Sequence, residues 1–224
     1  MVKAILLVEK SNFTNVIKTI FNKALNNSFK KKVIFVNSIK DLNKIKKFKQ
    51  IDYLFNFQQR LISEEILACI KHPINFHPGS TKYPGRGGYC WAIYNKSNYY
   101  GCVAHIMEKK VDSGKILEEI LFPVEKFDNI ESLKFKCLMT NLKIFYGILI
   151  KLNFNKKLTY KNIKWKRKPY KLADLSKINT FNKSSSDKLK RLVTKATEYY
   201  PFGPYLSDGK KITKVKIKRK NHIF

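Results

Sequence analysis

The stretch Ile74-Asn75-Phe76-His77-Pro78-Gly79-Ser80 is a short extended segment that runs into a Pro/Gly-rich loop ending near Gly88. Side chains alternate along a strand, so Asn75 and His77 share one face while Ile74 and Phe76 take the other. Before this segment, residues 4–8, 32–36 and 53–57 read as three apolar strands. Between them, residues 13–25 carry apolar positions near helical spacing, 39–48 form a lysine-rich helix candidate, and 63–70 open with Ser63-Glu64-Glu65, a cap followed by acids in the first turn. With 74–77 as the fourth strand, this rhythm predicts an α/β fold: a Rossmann-like, mostly parallel sheet with helices on both faces. Ligands of such sheets bind at the C-terminal ends of the strands. Asn75 and His77 stand at such an end.

In the second half, 91–95 suits a short helix, and 100–107 and 116–123 read as paired strands. Their connection, 108–114, carries Asp112-Ser113-Gly114. Residues 130–152 form a long apolar helix candidate. Beyond Lys156 the texture turns basic and aromatic, then polar and Ser-rich over 182–187. A helix over 186–199, a Pro/Gly turn over 200–205 and an edge strand over 212–217 follow. We therefore expect a catalytic domain over 1–177 and a short C-terminal α+β extension over 178–224, with the extension a possible dimer contact.

The 224 residues suffice for one α/β domain with a small appendage, and a hydrophobic share of 44% predicts a folded chain. No apolar run approaches the roughly 20 residues of a membrane span, and the apolar start is too short for a signal peptide. The four cysteines, Cys69, Cys90, Cys102 and Cys137, form no C-x-x-C pair. That spacing implies no metal and suits a cytoplasmic protein. The net charge of +30 invites a polyanionic partner, yet lysine supplies most of it and is spread along the whole chain. A solvated lysine surface accounts for this, which leaves the scarce arginines, Arg86 and Arg167 above all, as the residues suited to planar phosphate recognition.

Asn75, His77 and Asp112 together provide an amide donor, a proton carrier and a carboxylate able to hold an imidazolium. That set suits attack of an amine on an acyl carbon. The block around them is Asn75, His77 and Pro78, then Tyr83-Pro84-Gly85-Arg86-Gly87-Gly88, Ala92-Ile93-Tyr94, Gly101-x-x-x-His105-x-Met107, and Asp112-Ser113-Gly114-x-Ile116. It resembles the formyltransferase family, whose members take a formyl group from 10-formyltetrahydrofolate. The match is dense across this block and thin elsewhere.

The resemblance implies that Asn75, His77 and Asp112 are the catalytic trio, with no metal required. It makes Phe57, Gln58, Arg60, Leu61 and Met107 candidates for the folate site. The Tyr-Pro-Gly form of the loop looks like the short enzymes that formylate nucleotide-linked amino sugars. Tyr83, Arg86, Gly88, Tyr89 and Trp91 are then candidates for sugar binding, and Arg167, in Trp165-Lys166-Arg167-Lys168-Pro169, for the diphosphate. His105 reads as a structural strand residue. The implied activity is transfer of formyl to the amine of a dTDP- or GDP-linked 4-amino-4,6-dideoxyhexose, feeding lipopolysaccharide or O-antigen synthesis, by a homodimer without a nucleic-acid partner.

Methionyl-tRNA is the alternative acceptor. It would explain the charge, but fewer than 50 residues after Lys177 are too few for a full C-terminal β-barrel. Glycinamide ribonucleotide is disfavoured because the first strand runs into Val8-Glu9-Lys10-Ser11-Asn12, without the glycines of a phosphate loop. A nucleic-acid-binding protein and a formyl hydrolase are the readings outside this chemistry.

Overall fold

Residues 3–8, 13–24, 32–36, 51–199, 203–209 and 211–215 are described in the computed structural model. The main sheet has six strands: β1 (Lys3–Leu7), β2 (Lys32–Val36), β3 (Ile51–Asn56), β4 (Ile70–His77), β5 (Tyr99–Ile106) and β6 (Ile116–Pro123). Their order is β2-β1-β3-β4-β5-β6. The first four run parallel, whereas β5 and β6 pair antiparallel with their neighbours. The expected α/β sheet is present, with its parallel half formed by the four N-terminal strands.

The alternation of each strand divides the core. Ala4, Leu6, Phe55, Ile74, Phe76, Cys102 and Ala104 face α1 (Thr14–Ala24) and a long helix, Ile130–Asn153. There Phe145 lies edge-on to Phe55, Phe57 and Phe76 and stacked on Phe21, with centroids 5.2–6.1 Å apart. Ile5, Leu7 and Leu54 face the other way, together with Ile66 of α2 (Glu64–Leu67). The long helix starts where it does because the Asn129 side chain accepts the Ser132 N–H while the Ser132 hydroxyl accepts the Asn129 N–H, at 2.9 and 3.0 Å.

Two expected boundaries shift. The helix expected over 63–70 is the single turn of α2, and β4 begins at Ile70 rather than Ile74. The cause is β3: Ile51 N–H donates to Cys69 O at 3.1 Å, which draws the chain into the sheet before a second helical turn forms. The loop after β4 leads into α3 (Gly88–Tyr94), and the long helix is α4. The helix expected over 39–48 lies outside the described residues.

After α4 the chain crosses back over the site through 156–171. It then forms a 3-10 helix (Leu172–Lys177), β7 (Thr180–Asn182), α5 (Asp187–Thr197), β8 (Tyr205–Ser207) and β9 (Ile212–Lys214). The last three strands make a separate sheet in the order β7-β8-β9. Ser186 caps α5. Among the described residues no helix is long and apolar enough to cross a membrane.

Candidate active site

Register assembles the site. Leu7 pairs with Asn56, Asn56 with Asn75, and Asn75 with His105, which places three polar side chains in one row across β3, β4 and β5. His77 lies two residues further along the same face of β4. The pairing of β5 with β6 shifts between Ala104 and His105; such irregularities re-aim side chains next to functional sites.

Asp112 comes from the β5–β6 connection. Its φ of 43° is left-handed, a region aspartate enters more readily than most residues. Gly114 follows with its α-carbon packed on the Ile106 carbonyl, where a Cβ would lie 2.0 Å from the oxygen. Together these turn the Asp112 carboxylate inward, where it is 7% exposed. Its Oδ2 lies 3.3 Å from His77 Nδ1 and its Oδ1 3.2 Å from His105 Nε2. The Gly85 N–H donates to Oδ2 at 2.6 Å.

Each histidine gives its other ring hydrogen to the main chain: His77 Nε2 to Tyr83 O at 3.1 Å and His105 Nδ1 to Ile106 O at 2.8 Å. A carbonyl only accepts, so these nitrogens carry the protons of the neutral rings. The nitrogens facing Asp112 are then bare. A proton delivered to either ring comes to rest against the carboxylate. Burial pushes His77 below its ordinary pKa, and the Asp112 charge partly counters it. Burial also opposes ionisation of Asp112, but the two histidines, once protonated, and the Gly85 N–H prevail and hold its carboxyl at about 2. The cluster is a base with a fixed counter-charge.

Trp165 covers this cluster. Its ring meets His105 edge-on at 5.1 Å and His77 at 6.0 Å, and its Nε1–H donates to Gly114 O at 2.9 Å. Gly79 is demanded by His77, since a Cβ there would sit 2.4 Å from the imidazole Nε2.

The trio Asn75, His77 and Asp112 thus converges, and His105 joins it. His105 sits on a strand, as its sequence context suggested, and also touches Asn75 and Asp112. The signal was a single polar residue inside the apolar run Tyr99–Ile106. Asn56 had no comparable mark, and Trp165 lies in the run 165–169, whose arginine carries the sequence reading.

The residues expected at the folate site surround β3. Phe57 stacks on Phe76 at 4.4 Å, Gln58 is buried, and Arg60 and Leu61 are exposed. Met107 Sδ lies 3.7 Å from Asn56 Nδ2. Among the residues expected to bind the sugar, Tyr83, Gly88 and Trp91 are buried. The Tyr83 hydroxyl meets Ser97, Gly88 packs on the Tyr100 hydroxyl, and Trp91 stacks on Tyr170 at 4.3 Å. Tyr89 packs on Tyr100. Arg86 donates to Gln59 O at 2.8 Å, and Arg167 lies over the Tyr170 ring while donating to its hydroxyl. Both arginines are exposed.

The fold and site define a Rossmann-like α/β protein with an Asn/His/Asp acid–base cluster at the rim of its sheet. The fold is that of known N-formyltransferases. A sugar N-formyltransferase from Shewanella sp. FDAARGOS_354 superposes with a TM-score of 0.69 over 96% of this chain and 97% of that one, at 16% identity. An N-formyltransferase from Helicobacter canadensis, solved with folinic acid and dTDP-3-aminofucose, gives 0.67 over 94% of this chain and 85% of that one, at 18% identity. In sequence, the chain is 32% identical over 125 residues to the bifunctional polymyxin resistance protein ArnA of Wigglesworthia glossinidia brevipalpis. That match spans 54% of this chain and 19% of the ArnA chain. No family model matches.

Proposed function

We propose that this protein is a sugar N-formyltransferase that moves a formyl group from 10-formyltetrahydrofolate to the amine of a nucleotide-linked amino sugar, a dTDP- or GDP-linked 4-amino-4,6-dideoxyhexose. The observation that carries the reading is the convergence of Asn75, His77, His105 and Asp112 at the end of β4, in a fold shared with N-formyltransferases, one of them solved with a folate and a dTDP-amino sugar.

In this reaction the acceptor nitrogen bonds to the formyl carbon, the bond from that carbon to the folate nitrogen breaks, and the proton leaving the amine ends on the folate nitrogen. Negative charge grows on the carbonyl oxygen. Asn75, half-buried at the rim, has one amide hydrogen engaged by His105 Nε2 at 3.1 Å. Its second hydrogen is the donor for that oxygen, and one such donor is typically worth ~3 kcal/mol. His77 carries the proton between the two nitrogens, with Asp112 holding the imidazolium. The formyl group fits this donor set. Phe57, Gln58, Arg60, Leu61 and Met107 border the place where its carrier would lie. Arg86 and Arg167 stand exposed beside the loop of 78–87, as guanidinium groups for a diphosphate, while Tyr83, Gly88, Tyr89 and Trp91 shape that loop.

We place the activity in residues 1–177 and treat 178–224 as an extension offering a dimer contact. We assign the protein to the cytoplasm and to the supply of N-formylated sugars for surface polysaccharide. The +30 charge favours methionyl-tRNA as the second reading. A panel of dTDP-, UDP- and GDP-amino sugars and methionyl-tRNA, each with 10-formyltetrahydrofolate and read by the mass of one added CO, separates the two. Formylation of a nucleotide sugar, abolished in His77→Ala and Asn75→Ala, is the expected result. Turnover near normal in either variant overturns the assignment.

A further inference from the structure

The amide of Asn75 faces the right way only because something fixes it. Asparagine has an oxygen and an NH2 of nearly equal shape, and only the NH2 serves a developing negative charge. Its orientation can be traced through the buried row. Asn56, 2% exposed, is anchored by one residue's main chain in both senses: its Oδ1 accepts the Gln58 N–H at 3.0 Å and its Nδ2 donates to Gln58 O at 3.0 Å. Main-chain groups have no alternative assignment, so the Asn56 amide cannot flip without losing both bonds. Its second Nδ2 hydrogen donates to Asn75 Oδ1 at 2.8 Å. That bond makes the inner atom of Asn75 the oxygen and turns the Asn75 NH2 toward His105, whose Nε2 it meets at 3.1 Å. His105 Nε2 must then accept, which agrees with Nδ1 donating to Ile106 O.

We propose that Asn56 is a positioning residue that sets the polarity of the whole site: through Asn75 it presents an N–H to the reacting carbonyl and holds His105 as the Nδ1–H tautomer. The proposal deepens the formyl-transfer reading and rests on it for the role of Asn75. The polarity of the row is independent of any substrate. Asn56 has no part in acid–base chemistry, and a side chain of the same shape without the donor reverses the row. In Asn56→Asp the carboxylate accepts from Gln58 N but repels Asn75 Oδ1. The Asn75 amide turns over to donate inward, and its oxygen faces His105 Nε2, which must now carry a hydrogen while Nδ1 keeps its own against Ile106 O, so that the ring is held as the imidazolium beside Asp112.

The test combines kinetics with long-range 1H–15N spectra of protein labelled in histidine, His105 being assigned with the aid of His72→Gln, His77→Gln and His222→Gln. In the unaltered protein near neutral pH, His105 should show Nδ1 protonated and Nε2 bare. Asn56→Asp should add a proton at Nε2 while Nδ1 keeps its own, and lower kcat about 100-fold with little change in KM, the effect of losing one preorganised donor. Asn56→Ser should recover at least about tenfold over Asn56→Asp, because a hydroxyl can both accept from Gln58 and donate to Asn75. A purely structural role would lower thermal stability in all variants alike and leave His105 Nε2 bare.

The proposal is overturned if the unaltered protein shows Nε2–H with Nδ1 bare, if Asn56→Asp keeps kcat within threefold, or if Asn56→Ser is no better than Asn56→Asp. Should Asn56→Asp fail to fold, the spectrum of the unaltered protein still decides, together with Asn56→Ser, whose kcat should then lie within about tenfold of the unaltered protein's, a larger loss overturning the proposal. If the spectra behave as stated while no acceptor is formylated, the positioning role stands and the formyl-transfer reading falls.

Discussion

Replacing Asp112 by Asn tests the electrostatics of the site without emptying it. The amide keeps the size of the side chain and one oxygen for the Gly85 N–H, which reaches Asp112 Oδ2 at 2.6 Å. What disappears is a negative charge 3.3 Å from His77 Nδ1 and 3.2 Å from His105 Nε2. At 3.3 Å and an effective dielectric of about 20, a carboxylate and an imidazolium attract by about 5 kcal/mol, from which the cost of burying both is subtracted. A net loss of about 3–5 kcal/mol in the transition state corresponds to a fall of about 10²–10⁴ in kcat. The pH profile moves in a definite direction. Burial lowers the His77 pKa and the Asp112 charge is the larger of the two influences that raise it, so Asp112→Asn leaves burial opposed only by the Tyr83 carbonyl and shifts the acid limb of kcat/KM to lower pH. Formyl transfer to the best acceptor of the panel, followed across pH in protein and variant, measures both effects. An Asp112→Asn enzyme within tenfold of normal kcat, or one whose acid limb moves to higher pH, refutes the assignment of Asp112 as the counter-charge of His77.

The carboxyl of Asp112 drops from 3.8 to about 2 on folding, which corresponds to about 2–3 kcal/mol of stability. Because the folded value is the lower one, this stability is present above pH ~4 and is lost as pH falls through ~2; urea unfolding at several acidic pH values checks it, and an unchanged stability across that window contradicts it. Gly79→Ala should push the His77 ring aside, since its Cβ would lie 2.4 Å from Nε2, and should cost activity far more than stability. Gly147→Ala, on α4 with nothing within 4 Å of the new Cβ, should raise the unfolding free energy by about 0.5–1 kcal/mol and leave turnover unchanged. Trp165→Phe keeps an aromatic edge on the two histidines but loses the donor to Gly114 O, so thermal unfolding should show a loss of about 1 kcal/mol.

The elements most legible in the sequence were those whose pattern is self-contained. β1, α1, β3 and α4 each carry their own period, and the ends of α4 and α5 are marked by Asn129 and Ser186. What escaped was decided elsewhere in the chain. The helix after Ser63 is cut short by a bond from β3 to Cys69, and the three-residue strands β7 and β8 are too brief to show a period. In the site, Asn75, His77 and Asp112 were visible because a resemblance joined them. Asn56 and His105 owe their places to pairing with Asn75 from either side, and no local pattern encodes which residues of two distant strands will face each other.

That dependence on register ties the chemistry to the fold. The alternation that sends Ile74 and Phe76 into the core beside Phe145 is the same one that turns Asn75 and His77 to the opposite face. A slip of β4 by one residue would drive an amide and an imidazole among the phenylalanine rings and present two apolar side chains to Asp112. Burying those polar groups without partners costs several kcal/mol. The site therefore needs no separate device to hold its register. The packing of Phe76 against Phe57 and Phe145 excludes the slipped pairing, and in doing so delivers Asn75 between Asn56 and His105.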